Sequence, residues 1–248
     1  MPDRVRGSGR RCLLRAPVAV AALCVLSSHG AKATDSATEA VRVVTFVEVS
    51  AESVARAQEV LLKYARNLQR DVSAGKFDLL QELGRPERFV LLESAPNDAQ
   101  LGAAEAASRE SLLPLDALLA APFDRRVNHD FAPASSPAAP APSVRAETGP
   151  GAVYVITHVD IGGPDRSRAD PALARLAEQA RASTGNLAFM VWQQRDRSNH
   201  YNIVGIWQSL AVQAAFNAQT SAREFRTAVA PMLGAPYDSR IYRRVPGR

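Results

Sequence analysis

The chain has 248 residues, a formal net charge of +5 and only two cysteines. Both cysteines and the excess of positive charge fall within the first 33 residues, and the remaining 24 basic and 24 acidic residues balance. From residue 34 onward this composition excludes disulfides, a cysteine nucleophile and a cysteine-ligated metal, and it gives no overall electrostatic attraction to nucleic acid.

Residues 1–33 have the pattern of a signal peptide. An arginine-rich head precedes an apolar stretch from Ala16 to Leu26, which is too short to span a bilayer comfortably. Ala31-Lys32-Ala33 is typical of a cleavage site, and Arg10-Arg11 fits a loose twin-arginine pattern. We therefore expect an exported protein, periplasmic or secreted, with no membrane span after cleavage. A retained membrane anchor is the alternative.

The rest of the chain is an internal repeat. Residues 118–127 read LLAAPFDRRV and residues 232–241 read MLGAPYDSRI, at an offset of 114 residues, and farther upstream the offset is 112. The repeat predicts a duplicated domain of about 90 residues, a size that can form its own core. We assign the copies to residues 41–131 and 152–244. The proline- and alanine-rich residues 132–151 between them are typical of an extended linker.

The sequence of the first copy predicts four strands and two helical regions. In chain order these are a strand at 41–49, a helix from about 50 to 73, strands at 76–82 and 88–93, a helical region after Asn97, and a strand at 124–131.

The second copy repeats this order more clearly. It predicts strands at 153–161, 187–194, 200–207 and 238–243. Asp170-Pro171 predicts the start of the first helix, Ser209 the cap of a short helix, and Ser221 with Glu224 a capping box that opens a helix to Leu233.

The predicted order in both copies is β-α-β-β-α-β, which indicates an α+β, ferredoxin-like fold. Such a sheet carries helices on one face only, so its other face needs a partner. Because the linker joins two matching sheets, we expect the two copies to pair within the chain. Further homo-oligomerisation is left open.

Two segments resemble the antibiotic biosynthesis monooxygenase (ABM) family: residues 197–207, RSNHYNIVGIW, and residues 85–93, RPERFVLLE. Ala214-Ala215-Phe216 and Ala235-Pro236-Tyr237-Asp238 extend the likeness. The resemblance covers most of both copies and implies an intrachain dimeric α+β barrel.

The resemblance also implies a function. Active family members oxygenate hydroquinone-like aromatics with O₂ and without metal or flavin. We therefore expect a monooxygenase that acts on a small quinol or phenolic compound and needs no cofactor. The alternative is a non-enzymatic module that binds a small apolar ligand, with the first copy as its structural partner.

The candidate site residues lie in the second copy. His158 is the candidate general base, because imidazole titrates near neutral pH; a histidine that only makes a structural hydrogen bond is the alternative. The candidate substrate-binding residues are Trp192, Trp207, Tyr201, Asn202 and Phe216. For the tryptophans, core packing is the alternative to walling an aromatic pocket. Among the matched positions at which the copies differ are Phe46 and His158, Glu93 and Gly205, and Ala95 and Trp207.

Overall fold

The structure, a computed structural model, describes residues 40–70, 75–131 and 149–247. The predicted signal peptide and residues 132–148 of the predicted linker lie outside these ranges. Within them, no helix is both long enough and apolar enough to cross a membrane.

The first domain contains four strands and two α-helices. They are β1 (Val41–Glu48), α1 (Val54–Arg70), β2 (Lys76–Glu82), β3 (Arg85–Ala95), α2 (Asp98–Ser108) and β4 (Asp124–Asp130). Asn97 caps α2, since its side chain accepts a hydrogen bond from the backbone N–H of Gln100 at 2.9 Å.

The second domain has the same order with one additional helix. It consists of β5 (Val153–Asp160), α3 (Arg166–Ala182), β6 (Asn186–Gln194), β7 (His200–Trp207), α4 (Leu210–Asn217), α5 (Thr220–Val229) and β8 (Asp238–Arg244). As predicted, Ser209 caps α4 by accepting from the backbone N–H of Val212.

Two predicted helix starts are wrong. Helix α3 begins at Arg166, one turn before Asp170, and Pro171 lies inside it. Proline is most favourable in the first turn of a helix, but Pro171 is the sixth residue of α3, so it does not mark the start of this helix. Helix α5 begins at Thr220, after Gln219, and makes no side-chain capping bond.

The eight strands of the described residues form one closed barrel in the order β1-β3-β2-β8-β5-β7-β6-β4. Each domain contributes a four-stranded antiparallel sheet, and the sheets join where β2 pairs with β8 and β4 pairs with β6. An ion pair of 2.7 Å between Arg244 and Asp78 also links the domains. The prediction of two ferredoxin-like domains that form an intrachain dimeric α+β barrel is confirmed.

The core has layers because strand side chains alternate between faces. Inside the barrel, residues of both sheets pack together, including Val44, Leu92, Ile156 and Trp192. Outside it, each sheet packs on the helices of its own domain. Each sheet therefore has a helix-facing side and a barrel-facing side, and this division decides where site residues can meet.

Candidate functional site

Cavities lie on both faces of the second domain's sheet. On β5, Val155 and Thr157 face the helices, whereas Ile156 and His158 face the barrel interior. We call the helix-side cavity the aromatic cavity and the barrel-side cavity the barrel-end cavity. Because neighbouring residues of one strand point to opposite faces, no single cavity contains both sets.

The aromatic cavity has a volume of about 230 Å³. It lies between the sheet and helices α3, α4 and α5. Its lining is Val155, Thr157, Leu176, Phe189, Ile203, Gly205, Trp207, Gln213, Phe216, Asn217, Ala222, Phe225, Arg226, Tyr237 and Ser239. The volume suits a ligand with a single ring, since it equals about eight water volumes at about 30 Å³ each.

Three aromatic rings build one wall of this cavity. Trp207 and Phe216 stack at 4.6 Å between centroids with an interplanar angle of 31°, and Phe189 meets the edge of Trp207 at 6.4 Å. Gly205 makes the arrangement possible, because a Cβ there would lie 2.8 Å from Nε1 of Trp207. The wall offers ring faces for stacking an aromatic ligand.

Polar groups occupy another part of the aromatic cavity. The hydroxyls of Thr157 and Ser239 lie 2.9 Å apart, and Arg226 donates to the backbone carbonyl of Asn217 at 2.9 Å. Burial raises the pKa of the Tyr237 hydroxyl, while Thr157 and the Arg226 guanidinium act in the opposite direction. A guanidinium near a buried phenol favours the phenolate form. The cavity therefore combines aromatic walls with groups that can stabilise an oxyanion.

The barrel-end cavity has a volume of about 200 Å³ and is lined by both domains. It contains three arginines and three acids: Arg88, Arg126, Arg240, Glu48, Asp124 and Asp238. Two arginines are held by the acid two residues earlier, Arg126 by Asp124 at 2.6 Å and Arg240 by Asp238 at 2.7 Å. The charges therefore balance, and most of them are paired.

His158 lines the barrel-end cavity from the second sheet. Burial, the nearby Arg126 guanidinium and His200 together lower its pKa to about 4, although Asp160 and Asn202 act in the opposite direction. Its Nδ1 is buried and has no hydrogen-bond partner among the described residues. The ring is therefore uncharged at neutral pH and has a nitrogen free to bond.

The structure divides the predicted site residues into three groups. His158, Asn202 and Trp192 form one row across β5, β7 and β6 on the barrel side. Trp207 and Phe216 line the aromatic cavity. Tyr201 faces the helices but lines neither of the two cavities, and its hydroxyl donates to Asp170 at 2.6 Å.

Two of the barrel-side residues are fully buried. Asn202 donates from Nδ2 to Oδ1 of Asn128 at 2.8 Å, and this hydrogen bond joins the two domains. Trp192 packs in the barrel core, and its Nε1 has no hydrogen-bond partner among the described residues. The structure thus brings His158 near Asn202, and it separates His158 from Trp207 and Phe216.

Sequence reasoning missed Arg226 and Tyr237 as lining residues. Arg226 lies on an amphipathic helix, where a charged residue usually marks the solvent side. Tyr237 belongs to the segment Pro236-Tyr237-Asp238, which repeats Pro122-Phe123-Asp124 of the first copy. The one available signal was this change from phenylalanine to tyrosine, which adds a hydroxyl. Within the described ranges, no cluster of three or more His, Cys, Asp or Glu could hold a metal.

The family model "Antibiotic biosynthesis monooxygenase" matches residues 152–231. The second domain is an ABM domain. The resemblance inferred from the sequence is thereby confirmed, and the match covers every residue lining the aromatic cavity except Tyr237 and Ser239.

Solved structures resemble the whole described fold. A candidate monooxygenase of Fusobacterium nucleatum aligns with a TM-score of 0.69 at 9% identity, covering 84% of this chain and 94% of that one. A candidate monooxygenase of Lactobacillus acidophilus gives 0.61 at 9% identity, covering 83% and 94%. An anthrone oxidase-like protein gives 0.61 at 14% identity, covering 84% and 92%. At these identities the likeness establishes the fold. No curated protein matches this chain in sequence.

Proposed function

We propose that this protein is a monooxygenase that oxygenates a small quinol or phenol with O₂ in the aromatic cavity of its ABM domain. One oxygen atom enters the aromatic ring and the other leaves as water, with the two electrons and protons for the water supplied by the quinol itself. The family match supports the reaction class. The observation that carries the choice of substrate is an aromatic wall facing a guanidinium and hydroxyl groups.

The cavity residues fit the needs of this chemistry. An electron-rich phenol becomes reactive toward O₂ once it is deprotonated, so the protein must stabilise the phenolate and exclude water. Arg226 supplies a positive charge at the lining of the cavity, and it is partly exposed. A preorganised positive charge of this kind can stabilise a developing oxyanion. Trp207 and Phe216 are buried and can hold the ring while keeping water away.

His158 is not one of the residues to which we assign this reaction. It does not line the aromatic cavity, and a pKa of about 4 makes it a weak proton acceptor at neutral pH. Its role as general base stays a prediction, and this role requires the substrate to bind in the barrel-end cavity.

Oxygen uptake with a panel of substituted hydroquinones tests the proposal. We expect Arg226→Gln to lower the rate by about 10²-fold, the scale for losing one oxyanion-stabilising group. The matched control is Arg223→Gln, one turn earlier on the same helix and exposed, which should keep the parent rate. Unchanged turnover in Arg226→Gln would contradict the assignment. A loss of about 10²-fold in His158→Phe without loss in Arg226→Gln would move the chemistry to the barrel end.

One observation favours the alternative, a binding module for a small apolar ligand. None of the described residues that line the aromatic cavity is histidine, aspartate or glutamate, so the cavity has no conventional proton acceptor. Under this alternative, hydroquinones and their methyl ethers bind equally well, and no member of the panel supports oxygen uptake. Calorimetric titration with both series, run beside the oxygen assay, separates the two functions.

A further inference from the structure

We propose that the barrel-end cavity is a second ligand site, built jointly by the two domains, that takes a small neutral molecule carrying a hydroxyl group on an aromatic ring. The site shares no lining residue with the aromatic cavity. The inference therefore stands apart from the proposed oxygenation.

The first observation is a concentration of unsatisfied polar atoms on the barrel side. Five buried side-chain atoms in the described residues lack a hydrogen-bond partner, and four belong to Glu82, Arg88, His158 and Trp192. Arg88 and His158 line the cavity itself, and the Glu82 carboxylate lies 3.9 Å from Arg88. Buried polar groups are rarely left unpaired, because they lose their hydrogen bonds to water on burial. This region is therefore suited to a ligand with hydrogen-bonding groups.

Arg88 and His158 need complementary partners. Nε of Arg88 is a donor without an acceptor, and the arginine's contact with Glu48 is long, at 3.4 Å. A neutral histidine can accept through one ring nitrogen, and Nδ1 of His158 is unpartnered. A hydroxyl group can donate to the imidazole and accept from the guanidinium, so it matches both.

The second observation is the asymmetry of the cavity. Phe46 of the first sheet and His158 of the second occupy matched positions in the two domains, and both line the cavity. Two identical subunits would place the same residue on both sides, whereas a fused pair need not. The cavity therefore has an apolar side, continued by Ile156 and Tyr242, and a side that accepts hydrogen bonds. A ligand with one apolar part and one hydroxyl group fits this division.

The charge and the volume of the barrel-end cavity further restrict the kind of ligand that it can bind. The three arginines and three acids of the lining balance, and His158 adds no charge at neutral pH, so the site has no preference for an ion. Its volume of about 200 Å³ equals about seven water volumes, enough for one substituted ring. Arg126 already lies over the Phe46 ring at 4.9 Å, which leaves the other lining groups to orient the ligand. These properties together select a small phenol.

The test compares 4-fluorophenol with fluorobenzene, which has the same ring without the hydroxyl, by fluorine NMR titration of the full protein. We expect the phenol to bind at the barrel end at least tenfold more tightly than fluorobenzene. His158→Phe should weaken this binding at least tenfold. The first domain already has phenylalanine at the matched position, so the fold can be expected to accept it. His158→Gln, which keeps a hydrogen-bond acceptor, should restore most of the affinity.

Phe216→Leu in the aromatic cavity controls for binding at the other site and should leave this binding process unchanged. All variants are compared at matched thermal stability. Three results would overturn the proposal: equal affinity for both ligands, an unchanged affinity in His158→Phe, or a loss of all phenol binding in Phe216→Leu. A crystal soaked in 4-fluorophenol that shows only water at the barrel end would also overturn it.

Discussion

One matched pair of strand positions on the helix-facing sides of the two sheets holds residues of opposite character. In the first domain, Glu93 on β3 lies between Val43 on β1 and Phe77 on β2. In the second, Gly205 on β7 lies between Val155 on β5 and Phe189 on β6. The flanking residues are the same, valine on one side and phenylalanine on the other. Only the central residue differs, and it changes the character of the whole face.

The next residue on the same face differs in the opposite direction, because here the first domain has the smaller side chain and the second domain the larger one. The first domain has glutamate followed two residues later by Ala95, and the second has glycine followed by Trp207. In the second domain the missing side chain at Gly205 leaves the space that the indole occupies. In the first, Glu93 is buried near Glu105, which pairs with Arg125 at 2.5 Å. One scaffold thus carries a buried acid in one copy and an aromatic cavity in the other.

The largest expected effect comes from Gly205→Glu, which places the first domain's residue in the second domain. A Cβ there lies 2.8 Å from Trp207 and 3.3 Å from Phe189, and the carboxylate would be buried among aromatic rings. We expect the free energy of unfolding to fall by about 3–5 kcal/mol, from overpacking and from burial of a polar group. Urea denaturation measures this loss.

Adding Trp207→Ala completes the exchange and sharpens the comparison. Because alanine frees the space that glutamate needs, we expect the double variant to regain at least about 1 kcal/mol relative to the sum of the single variants. Gly102→Glu is the control, since a Cβ at Gly102 has no atom within 4 Å. Strictly additive effects in the double-mutant cycle would show that the two positions are independent.

The second prediction concerns the buried acid of the first domain. Burial and, to a lesser extent, the neighbouring Glu105 raise the pKa of Glu93 to about 7, although Arg125 opposes them. The folded state therefore keeps a proton that the unfolded state releases near pH 4.5. Stability from this group is fully present below pH 4.5 and is lost as the pH rises to 7.

Glu93→Gln removes this dependence. Between pH 4 and pH 8, we expect the free energy of unfolding of the variant to rise relative to that of the parent by up to about 3 kcal/mol, at about 1.4 kcal/mol per pKa unit. Urea midpoints across this pH range measure the change. The exposed Glu110→Gln should follow the parent curve. A parallel curve for Glu93→Gln would mean that Glu93 titrates normally in the folded protein.

The fold followed from the sequence because its signals are local. The alternation of strand residues and the caps at Asn97 and Ser209 each depend on neighbours along the chain, and the repeat shows that the second copy has the same order of elements. The start of α3 was misplaced because Asp170-Pro171 has the composition of a cap, although the helix begins earlier. Composition near a helix start limits the boundary to within about a turn.

The candidate site could be predicted from the sequence only in part. Its composition depends on which face of the sheet packs against the helices and which faces the barrel interior. Alternation alone shows that His158 and Thr157 point to opposite sides. It does not show that Trp192 and Asn202 share the side of His158, since that requires the register between strands. Arg226 could not be assigned to a cavity from its helix alone, because the packing of α4 against α5 determines what that residue reaches.

The smallest expected effect concerns His158, and it should have the opposite sign to that of Glu93. Its folded pKa of about 4 lies below the ordinary value of 6.5, mainly because of burial, so the unfolded state binds the proton first. Stability from the neutral ring is complete above pH 6.5 and is lost as the pH falls to 4. Since the ring is partly exposed and solvent screens its charge, we expect the free energy of unfolding to change by only about 1 kcal/mol over this pH range because of His158. The melting temperature of His158→Phe should depend less on pH between 4 and 7 than that of the parent. If Glu93→Gln and His158→Phe shift the pH dependence in the same direction, the buried acid and the buried imidazole do not titrate as their surroundings require.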